Sequence, residues 1–236
     1  MTLKSIQKDL EDNSDKIQSE NLSRFFKTGA GEYGEGDCFR GIKVPVIRTI
    51  VKKYESQLSI NEIVSLLHSR WHEDRLCALL FFVSMIRKAD DAKQKTIYET
   101  YMGNTAFINN WDLVDLSAPQ VCGFYLQNRS HAPLFTLAES ASLWDRRIAL
   151  LSTFHFIKQS SFDDTLFIIE KLLSDREDLI HKACGWMLRE IGKRDLDCEQ
   201  TFIKKHYSKL PRTALRYAIE RFPENVRLRY LKGTFE

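Results

Sequence analysis

The stretch Arg75-Leu76-Cys77-Ala78-Leu79-Leu80 decides the fold because it recurs. Arg147-Ile148-Ala149-Leu150-Leu151 repeats its pattern of one cation followed by an apolar run, and Lys182-Ala183-Cys184-Gly185-Trp186-Met187-Leu188 repeats the theme again. Asp115-Leu116-Ser117-Ala118 occupies the remaining slot, so slots open at positions 75, 115, 147 and 182, spaced by 40, 32 and 35 residues. Spacings of this size mark two-helix repeats of the HEAT-like kind. Between the slots, apolar residues advance in helical steps: Ile60, Ile63, Val64 and Leu67; Ile97, Tyr98 and Tyr101; Phe162, Leu166, Ile169 and Leu173. Strand-type alternation is nearly absent. Ser59 with Glu62 reads as a capping box, Pro133 and Pro211 suit first helical turns, and Gly192 suits a helix end. The expectation is an all-α chain of HEAT-like helix pairs forming one domain over residues 1–236. A polar segment over 1–20 leads to an irregular stretch from Thr28 to Pro45, and basic helices close the chain over 201–232.

Composition narrows the class. The chain has 236 residues, 43% apolar and 28% charged, with only 10 Gly and 5 Pro, which suits one compact domain or a continuous repeat array. No apolar run approaches the ~20 residues needed to cross a bilayer, and the first residues carry no apolar signal core. Export and membrane association are disfavoured, and a cytoplasmic location is expected. The cysteines Cys38, Cys77, Cys122, Cys184 and Cys198 are odd in number and never paired at metal-knuckle spacing, so they read as reduced core thiols. Among the histidines, His68 and His72 lie one turn apart on a charged stretch, but no zinc motif accompanies them, and no metal or cofactor is expected. Gly29-Ala30-Gly31-Glu32-Tyr33-Gly34 matches G-x-G-x-x-G in letters only. No strand precedes it, and Glu32 would repel a pyrophosphate, so it reads as a flexible turn. No nucleophile elbow supports acyl-transfer chemistry.

Charge is distributed unevenly. Between Thr201 and Lys232 nine basic residues face two acids, a local excess of +7 in a chain whose net charge is +3. Such a concentration is a footprint for a polyanion, or else simply a solvated helix surface. The repeat register would place Arg75, Asp115, Arg147 and Lys182 in one row. Trp111 precedes Asp115 by four residues and Trp186 follows Lys182 by four, each one helical turn away on the same face. Asn109-Asn110-Trp111-Asp112-Leu113-Val114-Asp115 is the most unusual segment, with two carboxylates three residues apart beside an indole. A carboxylate in a partly dry groove can stabilise a developing cation and orient a water. The plain structural roles are an ion pair of Asp115 with Arg147, a helix cap at Asp112, and core anchoring by the two indoles.

At Asn110-Trp111-Asp112-Leu113-Val114-Asp115, Trp144-Asp145-Arg146-Arg147 and His181-Lys182-Ala183-Cys184-Gly185-Trp186-Met187-Leu188-Arg189-Glu190 the chain resembles the AlkD-type DNA alkylation repair glycosylases, from about Arg24 to about Leu231. The resemblance implies a right-handed superhelix of HEAT-like repeats whose concave groove holds duplex DNA containing alkylated purines. It also implies hydrolysis of the N-glycosidic bond of cationic bases, mainly 3-methyladenine and 7-methylguanine, without base flipping. Carried over position by position, it puts the catalytic carboxylate on Asp115, the groove tryptophans on Trp111 and Trp186, and a DNA-contacting arginine on Arg147. Arg189 matches a further arginine near the groove. Where the family's archetype has a tyrosine, this chain has Phe25, which removes a hydroxyl contact. Arg75, Lys182, Arg212 and Arg216 would add phosphate contacts, and Pro211 would open a helix whose N–H groups add another. A monomer working on DNA, at the nucleoid and without an obligatory protein partner, is expected. The alternative from a different class is a non-catalytic HEAT-like module binding nucleic acid or protein through the same groove.

Overall fold

In a computed structural model, which describes residues 2–234, the chain is all-helical. Its only β-type feature among the described residues is an isolated bridge between Cys38 and Trp71. Backbone contacts divide it into two compact units, residues 1–117 and 118–236.

The first unit contains α1 (Thr2–Asp12), α2 (Lys16–Phe25), α3 (Val44–Lys53), α4 (Ile60–Leu67), α5 (His72–Ile86), α6 (Asp91–Met102) and α7 (Trp111–Asp115). The polar start is thus two helices, and α1 docks through the narrow stripe of Ile6 and Leu10, both fully buried. Its partners are α3 and α5. Local chemistry sets the boundaries. Asp15 accepts the Gln18 N–H at 3.0 Å, Asp90 accepts that of Lys93 at 2.8 Å, and Ser59 and Glu62 form both halves of the capping box. Helix α5 is the centre of this unit, flanked by α3 and α4. All but three of its fifteen residues are buried, including the consecutive polar residues His72, Glu73, Asp74 and Arg75.

The second unit opens with a π-helical turn, Pro119–Gly123, and continues through α8 (Phe124–Leu126), α9 (Ala132–Ala138), α10 (Leu143–Ser152), α11 (Phe154–Ile157) and α12 (Asp163–Leu172). It closes with α13 (Asp178–Gly192), α14 (Leu196–His206), α15 (Arg212–Ala218) and α16 (Glu224–Lys232). Pro133 stands in the first turn of α9, Gly192 ends α13, and Pro211 is the capping residue immediately before α15. Helix α13 is central here, packed against α10, α14 and α15. Gly185 makes its approach to α15 possible: a Cβ at this position would collide with the Ala214 carbonyl oxygen and lie 2.5 Å from Tyr217 Cβ. None of the five cysteines forms a disulfide, and Cys77, Cys122 and Cys184 are buried, where desolvation pushes their thiols well above the ordinary range. Among the described residues no helix is long and apolar enough to cross a membrane.

Candidate active site

Helix α7 is only five residues long, and its sequence explains its start. Asn110, fully buried, turns its side-chain oxygen onto the Trp111 N–H at 2.9 Å, capping the first turn. One turn of helix then places Trp111 and Asp115 on the same side, and both line one open cavity of about 530 Å³ within the first unit. The intervening Leu113 and Val114 are fully buried and tie the helix to the core.

Aromatic rings build the cavity wall. Phe26 stacks on Trp111 with centroids 5.0 Å apart and an interplanar angle of 24°. Phe39 stacks on Phe26 in turn, with centroids 5.0 Å apart. Phe25 meets Trp111 edge-on at 5.9 Å while remaining 62% exposed, so its ring lines the cavity without offering a hydroxyl. The wall is almost wholly apolar; its charged members include Asp112, Asp115, Glu73 and His72.

His72 is the residue that sequence reading missed. It is 1% exposed, and its ring lies 4.5 Å from that of Phe39. Nδ1 is 2.8 Å from Asp37 Oδ2, and Nε2 is 2.8 Å from Asp112 Oδ2. With both carboxylates ionised, both ring nitrogens carry protons and donate, which makes the ring an imidazolium. Burial opposes that charge, but the attraction of Asp112 and Asp37 outweighs it and lifts the pKa from 6.5 to about 9. Burial likewise works against ionised Asp37, and His72 and Arg75 together overcome it, holding that carboxyl below its ordinary value. Asp112, expected as a cap, is instead the helix's anchor to this network, with its second oxygen buried and without a hydrogen-bond partner. A signal was present: four consecutive polar residues at the start of a helix with no polar face cannot all be solvated.

Arg75 corrects another expectation. It was expected on phosphates, but it is 5% exposed, with Nη2 2.6 Å from Asp37 Oδ1 and Nη1 donating to the carbonyls of Ser69 and Arg70. The buried carboxylate draws it inward, because an unpaired charge at Asp37 would cost more than ordering the guanidinium. Glu32 and Glu35 fold back onto the N–H groups of Gly29 and Gly31 at 3.0 and 2.8 Å, so the glycine-rich turn satisfies its own donors.

In the second unit, Arg147 is 5% exposed and its Nη1 donates to the Leu179 carbonyl at 2.6 Å, bracing α10 against α13. Trp186 is half-buried, donates Nε1–H to Glu190 at 3.3 Å, and lies 5.7 Å from the Phe154 ring. Lys182 pairs with Asp178 at 2.8 Å, and Arg189 pairs with Glu220. Arg212 donates to the Leu231 carbonyl at 2.8 Å and Arg216 is exposed. Among the described residues no group of three or more His, Cys, Asp or Glu side chains is arranged to hold a metal ion.

Comparison with known proteins places the chain in a class. A family described as DNA alkylation repair enzyme matches residues 6–222, and the protein belongs to that family. A solved structure described as a "Predicted DNA alkylation repair enzyme from Enterococcus faecalis" superposes with a TM-score of 0.69 at 16% identity, covering 90% of this chain and 98% of that one, which speaks to the shared helical fold. No curated protein matches the chain.

Proposed function

We propose that the protein is a DNA glycosylase that hydrolyses the N-glycosidic bond of cationic N-alkylpurines, 3-methyladenine and 7-methylguanine, in duplex DNA. The observation that carries this reading is the pairing of Trp111 and Asp115 on one turn of α7, facing one aromatic-walled cavity. A positively charged alkylpurine is already a good leaving group and needs no general acid. The barrier lies in the oxocarbenium charge that grows on the sugar as the C1′–N bond breaks and its electron pair leaves with the base. A carboxylate at Asp115 opposes that charge and orients the water whose oxygen bonds to C1′, with the water's proton passing to Asp115. The face of Trp111 adds cation–π attraction of about 0.5–2 kcal/mol, and Trp186 adds the same by family resemblance.

The apolar wall also bears on how the lesion is met. Enzymes that flip a base read it by hydrogen bonds to its edge. This cavity offers rings and no matching set of neutral donors and acceptors, in keeping with a lesion that stays in the duplex. Phosphate contacts fall to Arg147, Arg189, Lys182, Arg212 and Arg216 together with the basic end of the chain, giving sequence-independent, salt-sensitive grip. The protein acts as a monomer in the cytoplasm and needs no cofactor.

The test is release of the two free bases from methylated duplex, comparing wild type with Asp115→Asn under single-turnover conditions. Release by wild type alone, with duplex affinity in the variant unchanged or slightly tighter, is expected. Equal release by both would sink the assignment of Asp115. No release by either, with salt-sensitive binding intact, would make the protein a binding relative.

A further inference from the structure

A five-residue helix has no intrinsic stability in water, so the orientation of α7 must come from its tertiary contacts. Two of these converge on a single buried point. Asp112, between Trp111 and Asp115 in sequence, is bonded to His72 on α5, and Asn110, the cap, donates to Asp37 at 3.3 Å. Asp37 belongs to the irregular segment before α3 and accepts the other side of the His72 ring. We infer that the Asp37–His72–Asp112 bridge is a positioning device, in which a doubly donating imidazolium clamps α7 to α5 and to the segment before α3 and so fixes where Trp111 and Asp115 stand in the cavity. The role of the clamp in catalysis rests on the glycosylase reading; the clamp itself does not.

The charge inventory supports the assignment. Facing His72 are Asp37 from the irregular segment and Asp112 from α7, with Asp115 and, just before α3, Lys43 lining the same cavity. On α5 itself, Arg75 pairs with Asp37, Glu73 accepts the backbone N–H groups of Arg40, Gly41 and Ile42, and Asp74 is held by Arg40. The neighbouring Phe26 and Phe39 rings bring no charge. His72⁺ and Arg75⁺ therefore balance Asp37⁻ and Asp112⁻. A neutral ring would have one N–H for two carboxylates, and the other carboxylate would face a nitrogen lone pair. One of the two links would then open.

The test uses the full chain as wild type, His72→Gln and Asp37→Asn, between about pH 6 and 10. Single-turnover release of 7-methylguanine, duplex affinity, and fluorine NMR of fluorotryptophan-labelled protein, with Trp111 assigned by Trp111→Phe, are read in parallel. A glutamine cannot donate to both sides, so His72→Gln should slow release by about 10–100-fold, the scale of a displaced catalytic group, with affinity within about twofold of wild type. Asp37→Asn keeps an acceptor but removes a charge, so the alkaline loss of activity should move down by about one pH unit. The Trp111 fluorine signal should follow the same pH curves. Wild-type rates in His72→Gln together with an unshifted Asp37→Asn profile would overturn the inference. If wild type releases no base at any pH, the glycosylase reading fails by itself and the fluorine signal decides. A Trp111 signal that moves with pH and shifts in Asp37→Asn sustains the clamp, and one that does neither overturns it. Should His72→Gln not fold, the Asp37→Asn profiles still decide.

Discussion

Raising the pH from about 6 to 10 should strip the proton that His72 shares with Asp37 and Asp112, and the loss can be weighed in advance. The folded-state pKa of about 9 lies above the ordinary 6.5. The bound proton therefore contributes stability that is fully present below pH 6.5, declines from there, and is gone once the pH has passed about 9. At about 1.4 kcal/mol for each tenfold change in the proton equilibrium, this rise corresponds to about 3 kcal/mol. Because the group is 1% exposed, solvent screening does not erode the figure as it would at the surface. Other groups titrate in the same range, so the quantity to measure is a difference. Urea unfolding of wild type and His72→Gln at a series of pH values should give a stability gap that narrows by about 3 kcal/mol across the window. A gap that stays constant from pH 6 to 10 would refute the imidazolium and, with it, the charge balance argued for the bridge.

Other expectations are quicker to check. Glu199 is buried, and desolvation, only partly offset by Arg189, lifts its carboxyl to about 8. Its ionised form thus weakens the fold increasingly as pH rises from 4.5 to 8, and Glu199→Gln should gain about 4 kcal/mol at pH 8 and little at pH 4.5 in urea unfolding; an equal effect at both would count against it. Gly185→Ala should push α13 off α15 and cost about 1–3 kcal/mol, visible as a drop in Tm of several degrees, whereas an unchanged Tm would mean that this contact is loose. Arg147→Ala should weaken duplex binding and flatten its salt dependence. It also removes a buried hydrogen bond that ties α10 to the Leu179 carbonyl, so a stability loss of about 1–3 kcal/mol should accompany it in thermal unfolding. Phe25→Tyr adds a hydroxyl to an exposed ring and should leave stability within about 0.5 kcal/mol, so any change it makes should appear in lesion preference or duplex affinity.

The helices themselves were legible along the chain. The repeat spacing, the capping box at Ser59 and Glu62, and the helical steps of apolar residues foretold an all-helical fold, because these depend on neighbours within a few residues. The shared face of Trp111 and Asp115 followed from the same arithmetic. Arg75 and His72 were different. The sequence placed both at the start of an apolar helix, where a cation reads as a phosphate contact and a histidine on a charged stretch without a zinc motif reads as holding no metal. Their fate was set by Asp37, 38 residues before Arg75 and 35 before His72, in a segment with no periodicity to read. Periodicity states which side of its own helix a residue occupies. Which charge arrives from elsewhere to meet it, and whether water is excluded when it does, is decided only when the chain closes on itself, and that closure drew His72 and Arg75 inward onto Asp37, beside the helix that carries the candidate catalytic carboxylate.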